Sequence, residues 1–179
     1  NTREAQDNGV VIVHQELNMV GDLTVAQNIF IGREPRKFGL IDWHTMNKKA
    51  TELLKSLDID ARATDKLEEC SLAKQQMIAI ARAVDMKCQV LILDEPTSGI
   101  DPAGVQEFMD LIRQLSREEG LTVLFSSHHL NQVQQVCDRV GLFGGGKLLA
   151  EVELTDLHKT EHGLDHIYNQ YFGGGRGHE

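Results

Sequence analysis

Asp94 and Glu95 are adjacent carboxylates set directly behind Val90-Leu91-Ile92-Leu93, and Pro96-Thr97-Ser98-Gly99-Ile100-Asp101 follows them. Two charges at the end of a buried run are costly unless a cation or a polar ligand meets them. Such a pair can help hold a divalent metal and position a water, the two requirements of phosphoryl transfer. The carboxyl end of a parallel strand is also where open α/β sheets bind their ligands. A core strand that happens to end in a charged turn is the plainer alternative. The combination of strand, paired acids, turn and capped helix favours a nucleotide site. Three further residues could take part. Ser71 can cap a helix whose first N–H groups are unpaired, which makes either a phosphate site or an ordinary helix start. His128 follows Ser126-Ser127; a neutral imidazole offers one N–H donor, though a histidine behind a strand is more often a structural hydrogen-bonder. Gln15, taken alone, is a polar residue closing a short strand.

The elements that must position these groups are legible in outline. Val90–Leu93 suits a strand buried on both faces, with Val10–Val13 and residues 121–125 as companions and residues 140–143 as a later strand. Asp101 and Pro102 start a helix that runs to about Glu119, buries Val105, Phe108, Met109, Ile112 and Leu115, and stops at Gly120. Thr24 and Gln27 form a capping box for a helix over residues 25–31. Asp42 caps a helix over residues 43–57, with Met46, Ala50, Leu53, Leu54 and Leu57 along one stripe. Behind Ser71, Met77, Ile78, Ile80, Ala81 and Val84 make another apolar face. Gly32 to Gly39 reads as a basic surface loop carrying Arg33, Arg36 and Lys37, and Asp58 to Lys66 as a polar connector. Gly144-Gly145-Gly146-Lys147 lacks phosphate-loop spacing and reads as a hairpin turn. His158, His162 and His166 recur every four residues, but Gly163 interrupts the helix and no distant ligand completes a metal site. Gly173-Gly174-Gly175 reads as a loose terminus.

Composition narrows the class. The chain has 179 residues, enough for one domain with a real core. Eighteen Lys and Arg against 27 Asp and Glu give a formal charge of −9, which argues against a nucleic-acid binder. No apolar run approaches the roughly 20 residues of a membrane span, and no secretory leader is expected. Cys70, Cys88 and Cys137 are odd in number and contain no CxxC pair, so they read as reduced thiols without a catalytic role.

ILDEPTSGID, residues 92–101, resembles the Walker B motif and D-loop of ATP-binding-cassette (ABC) ATPases. The resemblance implies that Asp94 helps hold Mg²⁺ through water and that Glu95 polarises the water attacking the γ-phosphate of ATP. It makes Gln15 the Q-loop residue meeting Mg²⁺ and the attacking water. His128, directly behind the serine, becomes the switch histidine in preference to His129. SLAKQQM, residues 71–77, is similar to the SVAQQQM form of the signature motif. Ser71, Ala73 and Gln75 would then contact nucleotide together with Asp101 of the D-loop, while Lys74 replaces a small or neutral residue. HQELNMVGDLTVAQNIFIGRE, residues 14–34, resembles sugar-importer ATPases for ribose and galactose. The implied fold is α/β, P-loop NTPase-like, mostly parallel, with a helical signature subdomain over about 20–85. Residues 1–152 would form a partial nucleotide-binding domain and 153–179 a C-terminal helix and tail.

The motif GxxxxGK[ST] does not occur in these residues. The N-terminal strands and P-loop of the family are therefore expected to be missing. Two consequences follow: a sheet with a raw edge or an exposed apolar face, and weak ATP binding by this chain alone. Family membership implies transmembrane permease subunits and a second nucleotide-binding domain as partners. A periplasmic-type substrate-binding protein would act indirectly, with the chain itself cytoplasmic on the inner face of the membrane. A degenerate cassette that only docks on a transporter is the rival reading. Intact Gln15, Glu95 and His128 favour hydrolysis, and the sugar-importer wording with the acidic balance disfavours a DNA-repair or translation ATPase.

Overall fold

The computed structural model describes residues 4–5, 8–13, 19–154 and 164–172. Gln15, His158 and His162 lie outside the described residues. Two compact units are present, residues 1–126 and residues 127–179.

The first unit is built on three parallel strands in the order β1 (Val10–Val13), β4 (Val90–Leu93) and β5 (Thr122–Phe125). Their register is even: Ile12, Ile92 and Leu124 share one row, and Val11, Leu91 and Val123 share the next. Alternation then decides the two faces. Leu91 and Leu93 turn to the buried side, whereas Ile12 is 42% and Leu124 63% exposed on the other. The expected exposed apolar face is therefore present in the described structure, and β1 and β5 are its edges.

Between β1 and β4 the chain forms a helical layer. It contains α1 (Val25–Phe30), α2 (Trp43–Ser56), a 3₁₀ turn (Leu67–Glu69) and α3 (Leu72–Asp85). Each start follows its local signal. Thr24 and Gln27 close a reciprocal capping box, Asp42 accepts from the Thr45 N–H, and Ser71 accepts from the Lys74 N–H. A capping side chain of this kind is worth about 1 kcal/mol. The stripes bury Met46, Ala50 and Leu54 from α2, and Met77, Ile78, Ile80 and Ala81 from α3. Asn28 is buried among them. Its amide donates to the carbonyls of Val20, Leu23 and Thr24, and its oxygen accepts the Val20 N–H, which folds residues 20–24 around α1.

Two segments differ from their sequence reading. The basic loop is a small hairpin, β2 (Arg36–Lys37) against β3 (Leu40–Ile41), turning through Phe38 and Gly39 at φ of 53° and 82°. Arg33 does not join its surface charge; it bonds Asp85 at 2.6 Å and the Ile29 carbonyl. The polar connector hides Ile59 and Ala63 in the core, since its polar residues flank two apolar anchors.

Helix α4 (Pro102–Arg117) joins β4 to β5, with Phe108, Met109, Leu111, Ile112 and Leu115 buried. Gly120 adopts φ 67° just beyond it, a left-handed stop that glycine makes without strain. The second unit holds α5 (Leu130–Val136), the antiparallel pair β6 (Arg139–Gly144) and β7 (Lys147–Glu153), and α6 (Leu164–Phe172). Gly145 and Gly146 turn between β6 and β7 with positive φ at both positions, as a two-residue hairpin requires.

Candidate active site

Asp94 and Glu95 stand at the carboxyl end of β4, the central strand. The Asp94 N–H bonds the Val13 carbonyl at 3.3 Å, extending the ladder to β1 by one rung. The Ser126 N–H bonds the Leu93 carbonyl at 3.0 Å, extending it to β5. Ser126 is thereby brought beside the acids. Its Oγ donates to Asp94 Oδ1 at 2.8 Å and accepts the Glu95 N–H at 2.9 Å. Glu95 holds φ at 44°, a left-handed conformation that costs a non-glycine residue on the order of 1–3 kcal/mol. Strain of this kind concentrates at sites where a side chain must be aimed. No local pattern in the sequence marks Ser126, because its tie to Asp94 spans 32 positions and depends on strand register.

The start of α3 lies against the start of α4. A Cβ placed on Gly104 would come within 2.6 Å of the Ala73 Cβ, and one on Gly99 within 3.3 Å of Leu72. The turn after Glu95, the cap of α4 and the first turn of α3 therefore meet. Asp101 serves this junction through its carboxylate, which accepts the Gly104 N–H at 3.2 Å. Ser71 is exposed at the α3 terminus. Ala73 is 2% exposed, so its side chain packs inward and only its backbone belongs to the N-terminal turn. Gln75 bends back, its amide donating to the Cys70 carbonyl at 2.9 Å. Lys74 points its ammonium at Asp60, 3.0 Å away, and that hydrogen bond raises its pKa. The extra cation in this turn thus has a carboxylate partner of its own.

His128 lies in the second unit, exposed just ahead of α5, and its ring is 4.0 Å from that of His129. Among the described residues no group of three or more His, Cys, Asp or Glu could hold a metal ion. What they do supply is one exposed carboxylate and one hydroxyl, Asp94 and Ser126. Hard oxygen donors of this type fit Mg²⁺, which keeps most of its own waters. All three thiols are free, and burial is the main cause that raises the pKa of each, that of Cys137 to about 11. Thiols held protonated in this way are poor nucleophiles.

A family model described as ABC transporter matches residues 1–98, more than half of the chain. The chain belongs to the ABC transporter family. A second model, for an AAA domain, matches residues 70–133. The galactofuranose transporter ATP-binding protein YtfR of Escherichia coli (strain K12) is 42% identical over 161 residues, covering 90% of this chain and 32% of that protein. The ribose import ATP-binding protein RbsA 1 of Rubrobacter xylanophilus is 39% identical over 149 residues, covering 83% and 30%. The chain thus spans about a third of the length of these relatives. Among solved structures, an ATP-binding cassette of an ABC transporter in its ADP conformation superposes with a TM-score of 0.74 at 21% identity, covering 97% of this chain and 72% of that one. A dimeric cassette in a post-hydrolysis state bound to ADP and Pi superposes with a TM-score of 0.66 at 25% identity, covering 86% and 68%. The fold is that of ABC ATPases, a mixed α/β domain with a parallel sheet and helices, as the motifs implied.

Proposed function

We propose that this chain supplies the hydrolytic carboxylates and the signature helix of an ATP-binding subunit in a sugar importer. The single observation that carries the reading is the Asp94–Glu95 pair at the end of the central strand, fixed to β5 by Ser126. The relatives named for galactofuranose and ribose supply the substrate class, a sugar.

Asp94 would hold the hydrated Mg²⁺, and Gln15 would take its place beside the same ion. When bound, that ion neutralises charge on the phosphate oxygens. Glu95 would orient the attacking water and accept its proton, a contribution typically worth about 10²–10⁴ in rate. His128 would donate a hydrogen bond to the γ-phosphate. Ser71, with the backbone N–H groups of Leu72 and Ala73, would face the nucleotide of a partner cassette across the dimer, because a helix start offers unpaired donors to anions. Gln75 ties that turn to the Cys70 carbonyl, and Asp101 caps α4, whose start lies against it. No GxxxxGK[ST] occurs in these 179 residues, and on this reading a phosphate loop would have to be supplied to the site from elsewhere.

The partners are transmembrane permease subunits, a second nucleotide-binding domain and, indirectly, a periplasmic-type binding protein. The subunit sits in the cytoplasm against the inner face of the membrane. No helix among the described residues is long and apolar enough to cross it. The β2–β3 hairpin suits a permease contact: Phe38 is 95%, Leu40 75% and Trp43 51% exposed beside Arg36 and Lys37. Turnover of Mg-ATP by the complete subunit, with and without Glu95→Gln, tests the reading. Retained binding with lost hydrolysis supports it, and equal hydrolysis by both forms refutes it in favour of a docking role.

A further inference from the structure

We propose that Ser126 is a positioning residue for the carboxylate pair, its one hydroxyl setting both the Asp94 side chain and the Glu95 backbone. The inference rests on the hydrolytic reading of Glu95. A hydroxyl has one proton to give and lone pairs to receive. Here the proton goes to Asp94 Oδ1 at 2.8 Å, and the oxygen receives the Glu95 N–H at 2.9 Å. The polarity is therefore fixed: the carboxylate must be the acceptor and the peptide the donor.

Each bond has a separate consequence. The bond to Oδ1 orients the plane of the carboxylate that would meet the hydrated metal. The bond from the Glu95 N–H offsets the left-handed φ of 44°, which otherwise relaxes toward an ordinary extended or helical basin. Such relaxation swings the Cα–Cβ bond of Glu95 and with it the carboxylate. The position of Ser126 is itself secured by the ladder bond from its N–H to the Leu93 carbonyl at 3.0 Å, which does not depend on its side chain. An aliphatic residue at 126 would keep the strand and remove the acceptor.

Ser126→Ala and Ser126→Thr separate positioning from stability. Amide hydrogen exchange in this chain, without nucleotide, reads the bond directly. In Ser126→Ala the Glu95 amide should exchange roughly tenfold faster or more, while the amide at position 126 keeps its protection. In the complete subunit the same substitution should lower kcat for Mg-ATP by roughly 10- to 100-fold with KM within about twofold, since small misplacements of a catalytic group cost rate more than binding. Ser126→Thr keeps the hydroxyl and should restore both readouts. Unchanged exchange at Glu95 in Ser126→Ala, unchanged kcat, or no rescue by threonine overturns the proposal. Equal loss of protection at Glu95 and at 126 also overturns it, as a general loosening of β5. If Glu95→Gln leaves turnover intact, the hydrolytic reading falls and the proposed role with it, whereas the exchange result still reports whether the bond exists.

Discussion

Glu95 combines a left-handed backbone with a place at the end of the central strand, so its substitution separates chemistry from folding. Glu95→Gln keeps the shape and removes the proposed base; kcat should fall by roughly 10²-fold or more while the melting temperature stays within a few degrees. Thermal scans beside a phosphate-release assay check both halves. Cys137 gives a prediction in pH. Its thiol is pushed up to about 11, so the folded state disfavours the thiolate. Alkylation of Cys137 should be slow at pH 8 and rise only toward pH 11, far behind an unfolded control, and mass spectrometry of the labelled peptide reads it. The sign for stability is the same: its contribution is intact below the ordinary thiol value near 9 and is lost as pH rises through about 11.

Among the elements, the caps are legible because each side-chain oxygen lies within three residues of the N–H that donates to it. Thr24, Asp42, Ser71 and Asp101 all cap as their spacing implies. Ties between distant segments were not. Ser126 to Asp94 spans 32 positions, Arg33 to Asp85 52 and Lys74 to Asp60 14, and no local pattern announces a partner that far away. Asp42 offers a pH test of one cap. The Thr45 N–H holds its carboxyl below the ordinary 3.8, so its support for α2 is present above that value and lost as pH falls through the lowered one. Asp42→Asn should flatten this acid dependence in amide exchange of α2. Gly104 tests the junction of α3 and α4. Gly104→Ala would press a methyl to 2.6 Å from the Ala73 Cβ, and a loss of about 1–3 kcal/mol in denaturant stability is expected. Asn28→Ala strips a buried four-bond clamp and should cost a similar amount, about 1–3 kcal/mol, in the same measurement.

For the whole chain, the motifs imply the family and most of the elements, though not the β2–β3 hairpin, and the described sheet leaves one apolar side open. Ile12, Ile92 and Leu124 form an apolar row along that side. Leu124→Lys should reduce self-association of the isolated chain in sedimentation, because an exposed apolar sheet face invites pairing. If Glu95 positions the attacking water as proposed, its loss costs turnover and spares nucleotide binding. The most direct measurement is steady-state Mg-ATP hydrolysis by the complete subunit and its Glu95→Gln form, with nucleotide affinity measured on both. A loss of roughly 10²-fold or more in kcat is expected, with affinity changed by no more than about twofold. Undiminished turnover in Glu95→Gln would contradict it and leave the chain a docking module with carboxylates of structural use only.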